Sequence, residues 1–163
     1  MILNKEIVDN HKQLSEYSCI PMAVELVLKL LEHAPSDYFE LQTQWNNSKA
    51  GSFANFDGQT IKGVTFHHQF SVANGRCFPP EKMKQLFDTI DHELQEGRYV
   101  VVSLAHGNNW HNFVVYDQMA DGEYQAASKA GSDTWCRSDV KQIITEMTGT
   151  DILTYEVSKE AAT

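Results

Sequence analysis

Positive charge is scarce in this 163-residue chain: 13 Lys and Arg stand against 22 Asp and Glu, a formal net charge of −9. A surface this acidic repels phosphate backbones, and no run of Lys or Arg supplies a local exception, so no nucleic-acid partner is expected. Long apolar runs are missing too. None approaches the ~20 residues a membrane-spanning helix needs, so no membrane insertion is expected. Cysteine is sparse and odd in number: Cys19, Cys77 and Cys136. That excludes a disulfide framework and points to a reducing environment at the site of action. The opening residues, MILNKEIVDN, lack a basic segment followed by an apolar one. A cleavable signal peptide is therefore not expected, and the chain is read as cytoplasmic or exported without one. Gly-rich nucleotide loops and C-x-x-C pairs are absent, so neither a cofactor nor a structural metal is expected. His67-His68 is a weak metal candidate, because neighbours on a strand point to opposite faces.

What the chain has is enough apolar residue, 42%, for one domain with a real core. A helix is expected from Cys19 to His33, with Ser18 as N-cap and Pro21 in its first turn. Its polar residues Glu25, Lys29 and Glu32 fall on one narrow stripe, so most of its circumference must be buried. Pro79-Pro80 open a second helix whose Met83, Leu86, Phe87, Ile90 and Leu94 recur with helical period up to a stop at Gly97. Strands follow at Tyr99–Leu104, His111–Tyr116 and Glu123–Ala127, the last two joined by an Asp121-Gly122 turn. A short helix after Ser138 and a strand at Asp151–Val157 close the chain. Residues 34–78 read as short helical and loop pieces of a substrate-binding segment, and 158–163 as a frayed tail. Residues 1–157 form a single domain of α+β class, a helical layer on an antiparallel sheet.

Three residues stand out chemically. Cys19 opens the buried helix, where unpaired N–H groups and the helix dipole favour a thiolate. Gln13 lies six residues earlier and can supply an amide N–H to an oxyanion hole beside the Cys19 N–H. His111 opens a strongly apolar strand and can serve as the base for the thiol. Each also has a plain structural reading: an inert buried thiol, a solvated glutamine, a histidine at a strand edge. The aromatics Trp45, Phe53, Phe56, Phe66 and Phe70 of the irregular segment line either a substrate cleft or a satellite core.

Taken in order, Gln13, Cys19-Ile20-Pro21-Met22-Ala23 and His111-Asn112-Phe113-Val114-Val115 resemble the papain-like cysteine peptidases. They are similar in particular to the bacterial branch of bacteriocin-processing, double-glycine leader peptidases. That branch shows Gln, six residues on a Cys-Gly-Pro-x-Ala helix start, and later a His-Phe-Val-Val strand. The resemblance spans roughly residues 10–157 and departs from the pattern at two points. Ile20 replaces the glycine after the nucleophile. The Asp or Asn that orients the imidazole falls near Ser128, with Asp133 the nearest carboxylate.

The resemblance implies a papain-like fold and a thiol hydrolase acting on a protein or peptide substrate. In it Cys19 forms a thioester, His111 is the general base, Ser128 or Asp133 orients it, and Gln13 binds the oxyanion. The same thioester serves glutamine deamidation, transglutamination and acyl transfer, as in a secreted bacterial effector. The two departures instead fit a binding module that has lost catalysis. The acidic surface favours a partner of basic character.

Overall fold

In a computed structural model, residues 2–48, 52–71, 77–106 and 109–158 are described. The chain forms helices α1 (Lys5–Asn10), α2 (Cys19–Leu30) and α3 (Glu40–Ser48), then a 3-10 turn at Phe53–Phe56. Strands β1 (Thr60–Ile61) and β2 (Val64–Gln69) precede helix α4 (Pro80–Gln95). After it come β3 (Val100–His106), β4 (Asn109–Gln118), β5 (Tyr124–Ala130), β6 (Asp133–Arg137), α5 (Val140–Met147) and β7 (Ile152–Val157). The seven strands make one antiparallel sheet in the order β1-β2-β7-β3-β4-β5-β6. The architecture is α+β. No helix among the described residues is long and apolar enough to cross a membrane.

Helices cover both faces of the sheet, where a single helical layer was expected. One core joins α2 (Met22, Leu26) to the sheet through Val101, Val114, Ala127 and Leu153. The other joins α4 and α5 (Leu86, Ile90, Ile144) to it through Val102, Phe113, Val115 and Ile152. The central strands are therefore apolar on both sides, which is why they read as continuous runs such as YVVVSL. Alternation then fixes a parity on β4: Asn112 and Val114 share the α2 face, and His111, Phe113 and Val115 the other.

The segment 34–78 is more ordered than its composition suggests. It holds α3, the 3-10 turn and β2, which pairs along its whole length with β7. Its aromatics are core rather than cleft. Phe53, Phe56 and Phe66 are buried in the α2-side core, and Trp45 stacks on Phe56 at 5.8 Å. His67 and His68 lie side by side on β2 and take separate partners, Glu156 and Asp151. The expected frayed tail lies, from residue 159 on, outside the described residues.

Two of the three stripe residues are not solvated, while Glu32 lies past the end of α2 and is exposed. Glu25 and Lys29 are both buried, and each serves a neighbouring element. Glu25 accepts hydrogen bonds from the Leu41 and Gln42 N–H groups, which satisfies open donors in the first turn of α3. Lys29 donates to Ser36 O and to His11 Nδ1 and lies over the Phe39 ring.

Candidate functional site

Cys19 begins α2, as the sequence indicates, with Ser18 at the N-cap position. The Ser18 hydroxyl does not cap the helix; it lies 2.8 Å from Gln42 Oε1. Gln42 organises this corner. Its Oε1 also accepts from Leu14 N, and its Nε2 donates to Lys12 O and to Glu25 Oε1. A fully buried side chain thus holds both ends of the loop between Lys12 and Cys19. Nothing in the local sequence around Gln42 marks it out, since its partners lie 17 to 30 residues away.

The residue brought to the thiol is Asn112. Its Nδ2 donates to Cys19 Sγ at 3.0 Å. Its Oδ1 accepts from Ser103 Oγ at 2.5 Å, directly across the β3–β4 pairing, and its carbonyl accepts from Ser128 Oγ at 2.6 Å. Cys19, Asn112 and Ser103 form a continuous polar chain in which every link is a hydrogen bond.

The Cys19–His111 couple expected from the sequence is not made. His111 precedes Asn112 by one residue, so its side chain leaves β4 toward the opposite face. There Nε2 donates to Lys129 O at 2.8 Å, and the ring packs against Phe113 and, at 4.9 Å, against Trp135. Lys129 O can only accept, so the Nε2–H tautomer is set by this bond. Burial holds the His111 pKa below its ordinary value, partly offset by the Lys129 carbonyl.

Cys19 is also not activated in the sense expected. Its pKa is raised by burial. The Asn112 amide and the backbone N–H groups of Cys19 and Ile20 favour the thiolate, but together they do not outweigh the lost water. The amide of Asn112 has no lone pair basic enough to take the thiol proton.

Ser128 is fully buried on β5, and its hydroxyl goes to the Asn112 backbone rather than to an imidazole. Asp133 is exposed at the start of β6, and it acts on Lys129, whose charge it favours. Gln13 is tied at its N–H to Gly131 O, 2.9 Å, and its Nε2 donates to Ser15 O at 2.8 Å. Its Oε1 is buried with no hydrogen-bond partner among the described residues.

Gln13 and His111 nevertheless line one cavity of about 710 Å³, together with Trp110, Phe113, Trp135 and Arg137. Cys19 is not among its lining residues. His11, at the C-cap of α1, is 1% exposed, with Nε2 donating to Met22 O. No cluster of three His, Cys, Asp or Glu residues suited to a metal occurs among the described residues.

The chain matches no protein-family model and no curated protein sequence.

Proposed function

We propose that this chain is a papain-like domain that acts by binding and whose thiol site is catalytically silent. The observation that carries the reading is the Asn112 hydrogen bond to Cys19 Sγ, with His111 turned to Lys129 O. In the resemblance drawn from the sequence, the base sits at the head of a His-Phe-Val-Val string. Here the string that reaches the thiol is Asn112-Phe113-Val114-Val115. An asparagine in the place of the base keeps the geometry and removes the proton acceptor. The orienting position falls at Ser128, which holds the strand instead of an imidazole. Support for the papain-like assignment itself is the arrangement of elements: a half-buried Cys at the start of a core helix, packed on an antiparallel sheet.

The substitution Asn112→His tests this reading. It returns an imidazole to the position facing Sγ, so Cys19 is expected to gain reactivity toward iodoacetamide near neutral pH. Loss of reactivity on that substitution, from a wild type already selectively labelled at Cys19, overturns it.

The second reading, a thiol hydrolase or acyltransferase, rests on one observation. The Cys19 and Ile20 N–H groups favour the Cys19 thiolate as an oxyanion-binding helix start does. On that reading His111 must be the base, and His111→Ala must abolish Cys19 reactivity.

A further inference from the structure

Among the described residues six large apolar side chains are exposed, and three of them, Leu14 (46%), Trp110 (62%) and Trp135 (46%), line the 710 Å³ cavity. A fourth, Tyr17 (75%), stands in the same loop as Leu14. Exposed aromatics gathered at one cavity are the composition of a recognition site.

Among the polar residues that line the cavity, Gln13, Glu16 and His111 carry acceptors. Gln13 Oε1 is buried without a donor, and the Ser15 carbonyl fixes which end of the amide it is. The His111 ring is uncharged at neutral pH, and its proton sits on Nε2, so Nδ1 is left as a lone pair. Glu16 adds a carboxylate at the rim. The one cation among the described lining residues, Arg137, is already engaged by both carboxylate oxygens of Asp139 at 2.8 and 2.9 Å. A carboxylate, an imidazole lone pair and two part-exposed indoles together suit a ligand that is cationic and rich in donors.

We propose that this cavity recognises a basic side chain, that of an arginine in a peptide segment of a partner. The guanidinium lies against an indole face of Trp110 or Trp135 and donates to the Glu16 carboxylate. A net charge of −9 draws such a partner in. The inference rests on the binding reading above and names the ligand of that binding.

The probe is a fluorescein-labelled pentapeptide with one central arginine, compared with the same peptide carrying citrulline, which keeps the shape and loses the charge. Binding to the full chain is followed by anisotropy and by tryptophan quenching. The arginine peptide is expected to bind at least about fivefold more tightly than the citrulline peptide. Glu16→Gln and Trp135→Leu are each expected to weaken it by about threefold or more and to leave the unfolding midpoint in place. Equal binding of the two peptides overturns the proposal, and so does an arginine peptide that neither binds nor quenches up to millimolar concentration. If the peptide is instead cleaved and Cys19 is selectively alkylated, the silent-site reading fails while the ligand chemistry stands. If Cys19 is inert and neither peptide binds, the ligand inference fails alone.

Discussion

Asn112 Nδ2 donates to Cys19 Sγ across 3.0 Å while His111, its neighbour on β4, faces away toward Lys129. A single step along one strand decides between an imidazole and an amide at the thiol. The amide side chain is in turn held by Ser103.

The Ser103–Asn112 bond is expected to be worth more than a surface contact. Asn112 is 3% exposed, so Ser103→Ala leaves Oδ1 buried without its donor and costs about 1–3 kcal/mol. Asn112→Leu with Ser103→Ala should cost less than the sum of the two single changes, because both polar partners are gone together. Urea midpoints of the four proteins in the cycle measure this.

Gln42 holds the loop that carries Gln13. Gln42→Ala removes four hydrogen bonds, to Lys12, Leu14, Ser18 and Glu25, and leaves several buried groups unpaired. A loss of about 3 kcal/mol or more is expected in urea titration. Amide hydrogen exchange at Leu14, whose N–H donates to Gln42, should accelerate more than exchange in β3.

Gly149 follows the C-cap of α5 at φ +122°, and a Cβ there runs into the Phe78 ring. Gly149→Ala is expected to cost about 2–4 kcal/mol from backbone strain and overlap. Gly149→Ala combined with Phe78→Ala should recover the steric part relative to Phe78→Ala alone, read from the same midpoints.

Two buried groups on the α2 side set opposing pH dependences. Burial, helped by the Lys29 charge, lowers the His11 pKa from 6.5 to about 3. The unfolded chain therefore binds the extra proton, and His11 stabilises the fold above pH 6.5 and loses that contribution as pH falls toward 3. Burial raises the Glu25 pKa from 4.5 to about 7. There the folded chain holds the extra proton, so the Glu25 contribution is present below pH 4.5 and lost as pH rises toward 7. Between 4.5 and 6.5 the two slopes cancel. Below 4.5 only His11 acts, with a loss of about 2 kcal/mol by pH 3. Denaturant midpoints against pH should show a plateau and then a fall, and in His11→Gln the His11 share of the fall should vanish.

Much of the fold was legible because its elements carry one strong period or one strong run. Helices α2 and α4 are legible to within a few residues from their apolar spacing and from Ser18 and Pro79-Pro80, β3 and β7 from their apolar or β-branched runs, and β5 from the Asp121-Gly122 turn before it. Strands β2 (VTFHHQ) and β6 (DTWCR) were missed because half-exposed strands of mixed polarity look like loop. At the site, the residues flanking the thiol were legible and their phase was not. In HNFVVY both faces of the strand are buried, so hydrophobicity does not say which of His111 and Asn112 turns toward α2. The pairing of Asn112 with Ser103, two polar residues facing each other in otherwise apolar strands, was the available signal.

The most direct measurement is the pH dependence of Cys19 alkylation by iodoacetamide, mapped peptide by peptide, in wild type, His111→Ala and Asn112→His. The expected result is a slow Cys19 in wild type, outpaced by the exposed Cys77 and Cys136, unchanged by His111→Ala and accelerated near neutral pH by Asn112→His. A wild-type Cys19 that labels selectively near neutral pH, and loses that reactivity in His111→Ala, contradicts a silent site and establishes a working Cys19–His111 couple.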